Sequence, residues 1–286
     1  DAAVQPEGEV SDPQPEGEVS DPQPEGEVSD PQPEGKVSDP QPETALTALI
    51  GGNETAKDVS TAEELTAAIA DTNVNTVKLA ANIDISSSLT VNRPDVTLDL
   101  NGHVLKYGSA NNGSVIVVEN GGQLTIEDSN TSNLSHKFMP NGKLWVLDEA
   151  SGTETVTGGV ITGGTGTDIS TFGGTTWYCG GGALIKNGGS LTMRGGNIIG
   201  CSAECGGGVC IDSEQGQFSM SGGSIIGCSA ESGGGVCAFG KFQMSGQAVI
   251  RSCTAEGTSF YFGGGVWVDG SFEMSGEAII EGCQAI

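Results

Sequence analysis

The sequence GGGVCIDSEQGQFSMSGGSII, residues 206–226, contains three short apolar segments that recur through the last third of the chain. The methionines that end the middle segment are spaced by 27, 24 and 30 residues; they are Met193, Met220, Met244 and Met274. Three short strands in each unit of this length predict a three-sided coil. Successive coils would stack so that like residues form ladders about 4.8 Å apart.

The same alternation of apolar and polar residues continues upstream of the clear repeats. Apolar pairs at 77/79, 83/85, 89/91, 96/98 and 124/126 predict strands, and turns such as Asn101-Gly102 and Asn141-Gly142 separate them. Ser60 and Thr61 stand three residues before Glu63 and Glu64, a doubled capping-box pattern that predicts one short helix. We therefore predict an all-β fold over residues 58–286, a right-handed three-sided parallel β-helix of roughly eight coils with a short N-terminal capping helix.

Residues 1–57 have a different composition and form a separate region. The nonapeptide QPEGEVSDP repeats to about residue 44, and nine of the eleven prolines lie there. One valine per unit is too little apolar surface to offset the entropy of ordering a chain. We expect a disordered acidic stalk that acts as a spacer, with avidity through a repeated recognition motif as the alternative.

The net charge restricts the classes of partner. The chain carries 37 acidic and 11 basic residues, a formal charge of −26. Such a surface repels nucleic acid and anionic lipid, so we expect neither as a partner, and no apolar run is long enough to insert into a membrane. The chain starts at Asp1 and ends at Ile286 within a repeat, so we expect a piece of a longer protein, truncated within the β-helix.

The Gly-Gly-(Ala/Val) strands and the Asn/Ser-rich turns resemble the pectate-lyase-like β-helix superfamily. Within it, residues 96–105 and 122–129 are similar to adhesin-like surface proteins, such as the chlamydial polymorphic membrane proteins and those of gut Gram-positive bacteria. The resemblance implies an extracellular, cell-surface or secreted bacterial protein. It leaves function open, because this fold carries lyases, hydrolases and pure binders.

The eight cysteines all follow residue 178, and the repeat sorts them into columns. The first column holds Cys201, Cys228, Cys253 and Cys283, the second holds Cys179 and Cys205, and the third holds Cys210 and Cys237. Column neighbours lie within disulfide range, and an even count in an exported protein is typical of bridges. A buried cysteine is also a compact apolar side chain. We predict reduced core thiols in the first column and leave the pairs Cys179/Cys205 and Cys210/Cys237 open.

No residue set predicts catalysis. The lyases and hydrolases of the superfamily that this chain resembles need clustered carboxylates with Arg, Lys or His nearby. Asp99 and His103 flank a coil corner and predict a solvated pair, while His136 has no acidic neighbour nearer in sequence than Asp128. We assign no catalytic residue, cofactor or metal, and do not expect an enzyme. A polysaccharide-active lyase or glycoside hydrolase remains the alternative.

Aromatic residues at equivalent points of two coils give the binding prediction. The candidate residues are Trp177, Tyr178, Phe260, Tyr261, Phe262 and Trp267. The middle positions of the Gly-Gly-Gly strands should face outward and form an apolar row of Leu184, Cys210, Cys237 and Trp267. Such a row is typical of a binding face, and a covering loop is the alternative. We predict a monomeric, adhesin-like protein that binds a host protein or glycan, with immunoglobulin and mucin-type glycoproteins as the first candidates.

Overall fold

The computed structural model describes residues 55–131, 134–170, 176–257 and 263–286, and the nonapeptide repeats lie outside these ranges. Within them the chain forms one helix and 29 strands. The first strand, β1, begins at Ala56, two residues before the expected start of the folded region.

Three long parallel sheets form the sides of the β-helix. Sheet 1 contains β1 (Ala56–Val59), β2 (Thr76–Leu79), β5 (Val96–Asp99), β8 (Gln123–Glu127), β16 (Ser190–Met193), β19 (Gln217–Met220), β23 (Lys241–Met244) and β27 (Ser271–Met274). Sheet 2 contains β3 (Ile83–Ile85), β6 (Val104–Tyr107), β12 (Val160–Thr162), β17 (Asn197–Ile199), β20 (Ser224–Ile226), β24 (Val249–Arg251) and β28 (Ile279–Glu281). Sheet 3 contains β4 (Leu89–Val91), β7 (Ile116–Val118), β15 (Ala183–Ile185), β18 (Val209–Ile211), β22 (Val236–Ala238) and β26 (Val266–Val268). The parallel β-helix architecture predicted from the sequence is confirmed.

The described chain forms seven coils, each beginning with a strand of sheet 1, rather than the roughly eight expected. They start at residues 76, 96, 123, 190, 217, 241 and 271. The difference arises in coil 3, residues 123–189, because two lateral additions lengthen its turns. In spite of them, β8 pairs directly with β16, with Gln123 opposite Ser190.

Stacked ladders fill the interior as the repeat predicts. Leu191, Phe218, Phe242 and Phe272 follow one another in register on sheet 1, as do Met193, Met220 and Met244. The Phe218 and Phe242 rings stack with centroids 5.2 Å apart and planes 6° from parallel. Their side chains are completely buried. Identical residues one coil apart thus pack face to face, which is why the repeat retains them.

The glycine triplets before sheet 3 allow successive coils to approach closely. A Cβ atom on Gly207 would lie 2.6 Å from the carbonyl oxygen of Gly234, and one on Gly234 would lie 2.5 Å from that of Gly264. Real Cβ atoms essentially never come this close to backbone, so any side chain here would force the coils apart. The triplets recur because the stacking distance requires them.

Helix α1 (Ala62–Ala70) covers the N-terminal end of the core. The Thr61 hydroxyl accepts a hydrogen bond from the Glu64 amide, and the Glu64 carboxylate accepts one from the Ser60 amide, which confirms the predicted capping pattern. The helix buries Leu65, Ala68 and Ile69. Its last turn is attached to coil 1 by the Arg93 guanidinium, which donates to the carbonyl oxygen of Ile69 at 2.7 Å.

The first addition in coil 3 is a three-stranded antiparallel sheet that packs outside sheet 2, and we call it the hairpin. It contains β9 (Ser135–Asn141), β10 (Leu144–Leu147) and β11 (Glu154–Thr157). Phe138 and Trp145 are buried against the outer residues Ile199 and Ile226. A Cβ atom on Gly227 would lie 2.2 Å from the Trp145 ring, so the glycine makes room for the indole.

The second addition pairs β13 (Thr167–Asp168) antiparallel with β14 (Tyr178–Cys179) beside sheet 3. A small parallel sheet continues from this corner in the later coils. It contains β21 (Ser229–Ala230), β25 (Thr254–Ala255) and β29 (Gln284–Ala285). These strands and the second addition frame the region where the sequence predicts a binding face.

Candidate functional site

The outer row of sheet 3 is where the sequence predicts it. Leu184 pairs with Cys210, Cys210 with Cys237, and Cys237 with Trp267, in register across four coils. These residues belong to an apolar cluster separate from the interior, whereas their neighbours Val209 and Ile211 belong to the interior core. The predicted inward and outward assignments of these strands are correct.

Most of this row is covered and does not form an open apolar stripe. Leu184, Cys210 and Cys237 are completely buried, and Cys179 and Cys205 pack over them. Cys179 comes from the second addition of coil 3 and forms a β-bridge with Cys205 in the next coil. The prediction of one continuous binding row is therefore wrong, because an inserted segment covers most of the row. The covered residues form a small apolar cluster outside the interior, which we call the satellite core.

The satellite core is open at one place, where it forms an aromatic cleft of about 300 Å³. We call this the sheet 3 cleft; its lining residues are Ile169, Trp177, Cys179, Cys205, Asp212, Ser232, Cys237, Phe239 and Trp267. The rings of Phe239 and Trp267 meet edge to face, with centroids 5.1 Å apart and planes at 65°. Three aromatic side chains from three different coils thus surround one opening.

Among the described residues that line the cleft, Asp212 alone has an acidic side chain and none is basic. Burial raises the pKa of its carboxyl to about 6, Lys186 opposes that shift, and Cys205 adds to it. Lys186 itself forms an ion pair with Glu119 at 3.0 Å. Asp212 and Phe239 both lie two residues beyond the paired Cys210 and Cys237, so they occupy equivalent positions one coil apart.

The structure brings together only part of the predicted aromatic set. Trp177 and Trp267 line the same cleft, although 90 residues separate them in sequence. Tyr178 is half-buried and is not a lining residue; its amide donates to Glu204 at 2.7 Å. The remaining candidates, Phe260, Tyr261 and Phe262, lie outside the described residues.

Sequence reasoning missed four lining residues, Ile169, Asp212, Ser232 and Phe239, and it assigned Cys179 and Cys205 only to a cysteine column. Phe239 and Asp212 could have been found, because each follows the predicted outer row by two positions and alternation places it on the same face. Ile169 carries no such signal, since it reaches the cleft only through the second addition of coil 3.

All eight cysteines are free thiols in the structure. The first column lies in the interior core, as predicted, and each sulfur lies close to the carbonyl oxygen two residues before it, for example 3.5 Å from Cys228 to Ile226. Burial, reinforced by contact with Cys228, raises the pKa of the Cys253 thiol. These thiols act as apolar filler, while the other four form the floor of the satellite core.

Asp99 is a buried turn residue and not the solvated partner of His103 that the sequence suggested. Its Oδ1 accepts hydrogen bonds from the Asn101 and Ser129 amides, both at 2.9 Å, and its Oδ2 faces Lys78 at 3.5 Å. Burial alone would raise the pKa of Asp99, but these hydrogen bonds and the lysine charge lower it below its usual value. The Asp99 carboxylate therefore stabilises the turn that follows β5 by accepting these hydrogen bonds.

His136 has an acidic partner, Glu149, which lies 13 residues away in sequence and was not identified from proximity along the chain. Its Nδ1 lies 2.8 Å from Glu149, on the far side of the hairpin, and its Nε2 lies 2.9 Å from the Gly102 carbonyl oxygen. The ring therefore joins Glu149 of the hairpin to a coil corner at Gly102. Burial, followed by the charge of His136, lowers the pKa of His103. Among the residues with described positions, no three His, Cys, Asp or Glu side chains are grouped so as to hold a metal ion.

Residues 56–151 match the family model described as "Putative pectate lyase-like adhesive domain". The match covers 96 of the 286 residues, from β1 to the end of β10 and four residues beyond, and does not reach the sheet 3 cleft. No curated protein and no solved structure matches the chain at a significant level. The match agrees with the predicted superfamily resemblance, whereas the likeness to chlamydial or gut Gram-positive proteins stays a prediction. No helix in the described ranges is long and apolar enough to span a bilayer.

Proposed function

We propose that this chain is a non-enzymatic, adhesin-like binding protein of the bacterial cell surface or of bacterial secretions. The observation that carries the proposal is the sheet 3 cleft, in which Trp177, Phe239 and Trp267 surround one opening. Aromatic side chains that are partly buried around a pocket are typical of the anchoring centre of an interface. The adhesive description of the matched family points in the same direction.

The partner is a host extracellular protein or glycan, and immunoglobulin and mucin-type glycoproteins are the first to test. The support is chemical. A tryptophan-lined cleft suits a stacked sugar ring or an inserted apolar side chain. The acidic excess disfavours nucleic acid and anionic lipid.

The test is binding of the full chain to immobilised immunoglobulin and mucin by biolayer interferometry. Trp177→Ala and Trp267→Ala should each weaken binding about thirtyfold, because loss of an anchor aromatic costs about 2 kcal/mol. Val146→Ala, which truncates an exposed apolar side chain outside sheet 2, should leave affinity unchanged. Circular dichroism establishes that each variant is folded. Normal binding by both tryptophan variants would contradict the proposal.

A further inference from the structure

The sheet 3 cleft combines aromatic side chains with one carboxyl group that lacks a counter-charge inside it. Trp177, Phe239 and Trp267 supply aromatic side chains, and among the described lining residues only Asp212 carries a formal charge. The volume, about 300 Å³, is at the lower end of the range of roughly 300–1,000 Å³ typical of small-molecule sites. The cleft therefore fits a small group better than an extended polymer.

The groups around Asp212 leave its charge uncompensated within the cleft. Lys186 acts on it from outside the lining and is already paired with Glu119. The thiols of Cys205 and Cys237 are its other titratable neighbours, and neither supplies a positive charge. Within the described ranges, no hydrogen bond or ion pair engages the carboxylate. Asp212 is partly buried, and a carboxylate that is partly removed from water without a counter-charge favours an accompanying cation.

We propose that the sheet 3 cleft binds a quaternary ammonium group, such as the trimethylammonium head of choline. A cation near the faces of tryptophan and phenylalanine rings is attracted by their quadrupoles, and Asp212 supplies the counter-charge. A primary ammonium is strongly hydrated and needs three acceptors, which this largely apolar lining lacks. The acidic excess of the chain also attracts cations toward the opening. This inference rests on the proposed function in one respect, since both take the sheet 3 cleft to be a binding site.

The test compares choline with its neutral carbon isostere, 3,3-dimethylbutan-1-ol, by calorimetry and tryptophan fluorescence on the full chain. Choline should bind at least tenfold more tightly than the alcohol, because only choline carries the charge that Asp212 and the rings recognise. Asp212→Asn keeps the shape of the side chain and should reduce choline affinity at least tenfold. Asp84→Asn makes the same charge change at an exposed position on sheet 2 and should change nothing.

The pH dependence gives a second readout that does not depend on a variant. With a carboxyl pKa of about 6, Asp212 is almost fully ionised at pH 7.5 and about one-tenth ionised at pH 5, so choline affinity should fall roughly tenfold on acidification. The alcohol should bind equally at both pH values. Equal affinity for choline and the alcohol, unchanged choline affinity in Asp212→Asn, or no choline binding at all would overturn the inference.

Competition separates this inference from the proposed function. If choline displaces the host partner and Asp212→Asn loses both ligands, both proposals stand. If the host partner binds through Trp177 and Trp267 but ignores choline and Asp212→Asn, the cation inference fails and the adhesin-like function stands. If choline binds as expected and no host protein or glycan does, the proposed function fails alone.

Discussion

Met220 lies on the inner face of sheet 1 between Met193 in the coil before it and Met244 in the coil after it. Only 1% of its surface is exposed, and its neighbour Ser219 points outward and is half-exposed. The two adjacent positions therefore test the inward and outward assignments of the whole ladder. A shift of one residue would exchange them.

We expect Met220→Asp to lower the free energy of unfolding by several kcal/mol, because it buries an unpaired carboxylate. Ser219→Asp, the matched control, should change it by less than about 0.5 kcal/mol, since the carboxylate remains in water. Urea denaturation followed by circular dichroism measures both. Equal midpoints for the two variants would mean that the inward assignments are wrong.

At the scale of single residues, the sequence predicted which side chains face the interior, but not which outward side chains are covered by other segments. Val209 and Ile211 could be assigned inward because period-two alternation and a repeating register leave one consistent answer. The burial of Cys210 could not be predicted, because it depends on Cys179 and Trp177 being carried over the row by an insertion. Similarly, the pairing of His136 with Glu149 depends on how a hairpin folds back.

The hairpin strands β9 and β10 are an element attached to the side of the rod. Their main anchor is Trp145, which is 8% exposed, packs over Gly227 and lies 5.2 Å from the Arg251 guanidinium in a cation–π contact. The next residue, Val146, is 43% exposed. The Trp145 amide also donates to the carbonyl oxygen of Gly227 at 3.0 Å, and Phe138 is completely buried in the same cluster. The hairpin is therefore held to the coils by packing around the indole, by this main-chain bond and by His136.

We predict that Trp145→Ala releases the hairpin without unfolding the coils. Loss of a buried tryptophan costs about 3 kcal/mol or more, so amide hydrogen exchange in residues 135–157 should accelerate roughly a hundredfold. Exchange on sheet 1 should keep its rate, because its ladders do not involve the hairpin. Val146→Ala should alter neither. If sheet 1 loses protection to the same extent as the hairpin, the hairpin is part of the cooperative core.

At the scale of the whole molecule, unbalanced charge opposes folding. Residues 55–286 contain 23 acidic and 10 basic residues, an excess of 13 negative charges. Stacking places outward residues of successive coils at roughly 4.8 Å, so like charges on one face lie within the screening length at low salt. Four ion pairs of lysine or arginine with carboxylates, including Lys78–Asp99 and Arg194–Glu127, offset part of this repulsion among the described residues.

We expect the melting temperature at pH 7.5 to rise by a few degrees between 20 mM and 500 mM NaCl, corresponding to about 1 kcal/mol of screened repulsion. At the isoelectric point of the chain, about pH 4.1, positive and negative charges balance, so the increase should nearly vanish. Differential scanning calorimetry at both pH values measures this. A similar increase at both would assign the effect to salt acting on hydrophobic burial instead.

The structure of coil 3 also has a consequence for how such a protein could evolve. Its two lateral additions leave the stack and return to it, and β8 still pairs with β16 although Gln123 and Ser190 are 67 positions apart. A segment with similarly spaced ends could be exchanged for either addition while every ladder of the spine is inherited unchanged. Because Trp177 and the covering Cys179 both belong to the second addition, the lining of the sheet 3 cleft could change in this way at little cost to folding.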